Sequence, residues 1–157
     1  MKEIIEYLNK NHKYISTMES CTGGYLASSI TNVSGSSLVF KFSAVTYSNE
    51  FKIKMGVDKE VINKYSVYSM ECANEMARAI SKFTDANYGV GVTGKLNDKD
   101  PNNNYGDDST IYSSIYDKDK NQHQEKIIKA LNKERIDNKE LINQEFIKLF
   151  REKIINK

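Results

Sequence analysis

Tyr14-Ile15-Ser16-Thr17-Met18-Glu19-Ser20-Cys21-Thr22-Gly23-Gly24-Tyr25-Leu26-Ala27-Ser28-Ser29-Ile30 changes its periodicity half-way along. Tyr14 to Met18 is a short extended run, whereas Leu26, Ala27 and Ile30 recur at helical spacing. A polar turn with two glycines lies between, so the segment predicts a strand that feeds a helix. Upstream, Ile4, Ile5 and Leu8 mark one face of a helix that stops at Asn11 and His12. Downstream, Asn32 to Ser37 ends the second helix. Leu38 to Tyr47 then carries apolar groups on both parities, which predicts a long, largely buried strand.

Ser48 or Asn49 is placed to cap a short helix through Met55, ended by Gly56, with another over Asp58 to Tyr65. Ser69 opens a stronger helix whose apolar stripe is Met70, Ala73, Met76, Ala77, Ile80 and Phe83. Tyr88 to Val92 reads as a short buried strand, and Lys95 to Asp108 as a long polar loop holding the one proline, Pro101. Thr110 to Tyr116, a turn at Asp117 to Asn121 and a partner strand through Ile127 and Ile128 make a hairpin. From about Lys139, Leu141, Ile142, Phe146, Leu149, Phe150 and Ile154 share the face of a closing helix. Strands and helices that alternate early, with a hairpin late, predict an α/β fold: a three-layer α/β/α sandwich with a mixed, mostly parallel sheet.

With 157 residues, 39% hydrophobic and 28% charged, the expectation is one domain over 1–157 with a modest core. Lys and Arg number 23 against 21 Asp and Glu, for a net charge of +2, and the signs interleave, which argues against nucleic acid as a partner. No run approaches the roughly 20 apolar residues a membrane helix needs. Cys21 and Cys72 cannot build a disulfide framework, and they stand in no metal-site spacing. The expected setting is therefore cytoplasmic, with no metal and no cofactor.

Ligands of open α/β sheets gather beyond the carboxyl ends of strands, where three polar turns fall here: Ser20 to Gly24, Tyr47 to Lys52, and Thr93 onward. A serine at a strand-to-helix turn projects its hydroxyl while nearby amides face an oxyanion or phosphate, and Gly23 and Gly24 would allow close backbone approach. On pattern alone, however, a serine N-cap is the favoured reading of Ser20. In the second turn, a desolvated Lys52 could activate a serine and Tyr47 could relay a proton, although a capped helix with a solvated Lys52 fits equally. His12 and His123 lie in surface-like sequence, so no Ser-His-Asp triad is expected. Both cysteines read as small core residues. The Asn97 to Asp108 run does not satisfy the calcium-loop pattern.

These turns, in this order, resemble the CinA C-terminal domain family, whose active members are nicotinamide-nucleotide amidases. The matching segments are Glu19 to Gly24, Ser34 to Ser37 with Phe40, Thr46 to Lys52 with Gly56-Val57, Glu75-Met76-Ala77, and Gly91-Val92-Thr93-Gly94. The resemblance implies an α/β/α sandwich that deamidates nicotinamide mononucleotide, a small nucleotide substrate, without a metal. It also implies a homodimer or higher homo-oligomer. It carries over Ser20 as nucleophile, Lys52 as its base, Tyr47 as a proton relay or orienting phenol, and Thr93 as a polar contact. Thr22, Gly23, Gly24, Ser48, Asn49 and Gly94 become substrate-binding positions. Where the family has a glycine- and proline-rich loop, this chain has Lys95-Leu96-Asn97-Asp98-Lys99-Asp100-Pro101, in which Lys95 would attract a phosphate and Asp98 and Asp100 would repel it. A basic residue of the family corresponds to Arg135 or Lys139. The resemblance implies the amidase domain alone over 1–157, without the separate N-terminal domain of longer members. The alternative is a catalytically weak or inactive relative that keeps the scaffold and binds a nucleotide-like ligand or a protein partner. A Lys95 to Asp108 loop folded over Ser20 would favour the enzyme.

Overall fold

In the computed structural model, which describes residues 1–157, the elements follow in the order α1 (Lys2–Lys10), β1 (Ile15–Glu19), α2 (Tyr25–Thr31), β2 (Phe40–Val45), α3 (Asn49–Lys54) and α4 (Lys59–Tyr65). They continue with α5 (Met70–Thr84), β3 (Tyr88–Gly94), β4 (Thr110–Asp117), β5 (Gln122–Lys129) and α6 (Arg135–Phe150), which runs into a π-helical turn at Arg151–Ile155. The strands form one sheet in the order β2-β1-β3-β4-β5. β1 pairs in parallel with β2 and β3, and the β3–β4 and β4–β5 ladders are antiparallel, so β4 alone runs against the rest. The fold is the mixed α/β sandwich that the alternating pattern implies.

Apolar side chains fill both faces of the sheet. One face meets Ile4, Ile5 and Leu8 of α1, Leu26 and Ile30 of α2, and Ile142, Phe146, Leu149 and Phe150 of α6, packed on Val90, Val92, Ile111, Ile115 and Ile128. The other carries a smaller cluster of Met18 and Ala44 with Cys72, Met76, Ala79 and Ile80 of α5. That second layer lies close to the backbone because β3 has glycine where α5 crosses it. A Cβ added to Gly91 would stand 2.2 Å from the Ala73 carbonyl oxygen. Ser69 caps α5 as its position suggests, accepting from the Cys72 amide at 3.1 Å.

Three expectations need correction. Phe40–Val45 is not a buried strand but the free edge of the sheet, and only Ala44 along it is fully buried. Two apolar parities mimic burial on two faces, yet an edge strand has a neighbour on one side only. Phe83 does not close the α5 stripe against the core. It is 64% exposed and tilts against Phe42 of the edge strand, with ring centroids 5.5 Å apart. The last helix begins at Arg135 rather than near Lys139, with Asn138 buried where it accepts the Leu131 amide and donates to the Leu131 carbonyl.

The parallel strands place the site. β1, β2 and β3 all end at one edge of the sheet, so Ser20, Thr46–Tyr47 and Gly94–Lys95 emerge side by side there. No helix is long and apolar enough to cross a membrane.

Candidate active site

Ser20 follows β1 directly, and its amide donates to Val92 O at 3.0 Å, extending the β1–β3 ladder one residue past the strand. The chain then reverses through Gly23 and Gly24, whose φ values of 61° and 92° lie in the left-handed region. These glycines shape the turn. Glu19, fully buried, reaches across it to accept from the Leu26 and Ala27 amides at 3.0 and 2.8 Å. The cap of α2 is therefore a glutamate on the strand, where its charge meets the positive helix end. Ser20 Oγ takes no part in that cap, which corrects the reading favoured on pattern alone.

The short helix α3 carries Lys52. Ser48 caps it by accepting from the Phe51 amide at 3.2 Å, which turns Lys52 inward to 2% exposure. Its Nζ donates to the Thr46 carbonyl at 2.7 Å and lies 3.0 Å from Ser20 Oγ. None of its hydrogen bonds reaches a carboxylate, and burial pushes the ammonium below the ordinary lysine range. A buried amine whose pKa burial lowers thus rests on a serine hydroxyl.

Ser20 opens onto a cavity of about 650 Å³ whose wall includes Cys21, Tyr47, Ser48, Asn49 and Gly94. The loop after β3 forms much of the remainder, with Lys95, Asp98, Lys99, Asp100 and Asn103, and Arg135 arrives from the start of α6. The polar loop is folded beside Ser20. Lys95 is 5% exposed, 3.1 Å from Asp108 and 5.0 Å from the centre of the Tyr68 ring. Arg135 pairs with Asp98 at 2.6 Å and donates weakly to the Tyr47 hydroxyl at 3.5 Å. Asp100 accepts from the Tyr68 hydroxyl and from Asn103 Nδ2, and Asn103 Oδ1 accepts from Asn49 Nδ2 at 3.0 Å. Asp98 and Asp100 are thus engaged with the wall.

The other candidates are distributed unequally. Tyr47 stands at the rim, 64% exposed, with its hydroxyl turned to Arg135 and not bonded to Ser20 or Lys52. Thr93 is fully buried, donates to the Val67 carbonyl at 2.8 Å and is off the cavity wall, because its side chain points to the chain entering α5. Thr22, Gly23 and Gly24 are also off the wall, and the Gly23 amide is spent on Ser20 O at 3.0 Å. The Cys21 amide, next to Ser20, has no carbonyl acceptor. Burial pushes the Cys21 thiol up to about 12 and that of Cys72 up to about 11, so both stay protonated. Neither histidine lines the cavity, and His123 is half-buried rather than solvated, between Ser114 Oγ at 3.0 Å and Arg78 at 3.3 Å.

A sequence model of the CinA C-terminal domain matches residues 1–154. The chain belongs to the CinA C-terminal domain family. This CinA domain is 48% identical over 88 residues to a CinA-like protein of Endomicrobium trichonymphae, covering 55% of this chain and 21% of that protein. A CinA-like protein of Flavobacterium psychrophilum is 51% identical over 81 residues, covering 51% of this chain and 19% of its own. The matched part therefore spans about a fifth of these relatives. Among solved structures, a CinA superfamily protein of Klebsiella pneumoniae 700603 superposes with a TM-score of 0.88 at 18% identity, covering 99% of this chain and 96% of that one. A competence/damage inducible protein of Agrobacterium tumefaciens gives 0.81 at 25% identity, with coverage of 94% and 91%. Within this CinA domain, sequence reading passed over Glu19 and Tyr68. A carboxylate immediately before the turn serine was the available sign of the first; the second is brought to the cavity by folding alone.

Proposed function

We propose that this CinA domain is an amidohydrolase that converts nicotinamide mononucleotide to nicotinic acid mononucleotide and ammonia, with Ser20 as nucleophile and Lys52 as base. The observation that carries this reading is the buried Lys52 Nζ, 3.0 Å from the Oγ of Ser20, which lines the cavity. Neutral Lys52 donates one N–H to Thr46 O and offers its lone pair to the Ser20 hydroxyl. It takes the Ser20 proton as Oγ bonds to the carboxamide carbon, and the Cys21 amide, which no carbonyl engages, donates to the developing oxyanion. The protonated Lys52 then returns that proton to the departing nitrogen, the C–N bond breaks, and ammonia leaves an ester on Ser20. Water, deprotonated by Lys52, attacks the ester carbon, and the nicotinate leaves as Ser20 recovers its proton. Tyr47, at the rim with its hydroxyl toward Arg135, orients the ring. Lys95, Lys99 and Arg135 give the wall positive charge for the phosphate.

A cavity of about 650 Å³ suits a mononucleotide. The test is ammonia release from nicotinamide mononucleotide by the purified chain and its Ser20→Ala variant. Turnover by the native chain that falls at least about a thousandfold in the variant is expected. Absence of turnover, or equal turnover by both, contradicts the proposal.

A further inference from the structure

We infer that Asp100 is a specificity-determining residue of this site, a counter-charge for a positively charged pyridinium ring whose carboxamide lies at Ser20. The inference rests on the amidase reading and says which chemical class of carboxamide the site selects.

Two carboxylates line the cavity, and they are held differently. Asp98 is neutralised by Arg135 at 2.6 Å. Asp100 forms no ion pair: its hydrogen bonds come from the Tyr68 hydroxyl, Asn103 Nδ2 at 2.9 Å and the Asn102 amide at 2.9 Å. Neutral donors fix a carboxylate in place without cancelling its charge. Burial opposes ionisation of Asp100, yet these three donors, with a smaller contribution from the Lys95 charge, outweigh it and hold the carboxyl below its usual range.

The position of that charge matters. Asn103 ties the Asp100 segment to Asn49, the first residue of the helix that carries Lys52, and Asp100 is the acidic residue whose field bears on Lys52. Lys95, the cation nearest Tyr68, is itself occupied by Asp108. When Lys52 is neutral and ready to act as base, Asp100 remains the one carboxylate of the cavity wall that no ion pair neutralises. A ring bearing a quaternised nitrogen is attracted there, and a neutral carboxamide gains nothing. Lys99, the cation of the same cavity wall that forms no ion pair, meets the opposite charge of a phosphate, so the site matches a ligand that is cationic at the ring and anionic at the tail.

The experiment measures binding by calorimetry to Ser20→Ala and to Ser20→Ala/Asp100→Asn. The probes are nicotinamide mononucleotide and its 1,4-dihydro form, which has the same ribose and phosphate but a neutral ring. Ser20→Ala is expected to prefer the cationic ligand by about tenfold or more, and the double variant to bind the two within about twofold. Asparagine keeps an oxygen for Tyr68 and the Asn102 amide, and a purely structural role would weaken both ligands alike. A preference that survives Asp100→Asn, or one that is absent from Ser20→Ala, overturns the inference. If neither ligand binds, the amidase reading fails with it; if native protein releases ammonia while charge preference is missing, only this inference fails.

Discussion

Lys52 sets the energetics of the site. An ammonium at 2% exposure without a carboxylate partner costs the fold stability. Lys52→Met should therefore abolish hydrolysis while raising stability to urea by about 1–2 kcal/mol at neutral pH. A less stable variant would contradict that expectation. Its pH dependence has a definite sign. The folded lysine has the lower pKa, so the unfolded chain binds more protons, and native stability rises with pH between the lowered folded value and about 10.4. This contribution is complete above the unfolded pKa and lost as pH falls through the folded one. The slope should be missing in the Met variant, as paired urea titrations at several pH values would show.

At the scale of elements, the contact between α5 and β3 governs how the sheet is covered. Gly91→Ala would drive a methyl into the Ala73 carbonyl and the Ala77 amide, at 2.2 and 2.7 Å, both backbone atoms that cannot step aside. We expect a loss of about 2–3 kcal/mol, read as a lower urea midpoint with little change in slope. The elements themselves were largely legible from the sequence. The Tyr14–Ile30 change of period, the Ser69 cap and the turn at Asp117 to Asn121 are local signals, and local chemistry is what sequence periodicity reports. The failures lie where tertiary context decides. Strand β2 has core-like composition but takes the sheet edge, and Phe83 continues a stripe yet lies past the sheet beside Phe42. Helix α6 starts early because Asn138, which sequence alone counts as polar surface, is buried in hydrogen bonds to Leu131.

For the whole molecule, the site joins four separated parts of the chain. Ser20 follows β1, Lys52 sits in α3, Asp100 lies in the loop after β3, and Arg135 opens α6. The first two fall in the motifs that carry the family resemblance and could be named from residues alone. The loop could not: its aspartates read as repulsive to a phosphate, and only the fold shows Asp98 paired with Arg135 and Asp100 bonded to Tyr68. Thr93 was misplaced for the same reason, since a motif gives position along the strand but not the Val67 carbonyl that captures its hydroxyl. The central claim is that a neutral Lys52 takes the Ser20 proton inside this assembled cavity. The most direct measurement is the pH profile of kcat/KM for ammonia release from nicotinamide mononucleotide by the native chain and Lys52→Arg, which keeps the cation but cannot deprotonate. The native profile should rise through a pKa below that of an ordinary lysine and Lys52→Arg should be inactive throughout, whereas activity retained by Lys52→Arg would contradict the mechanism.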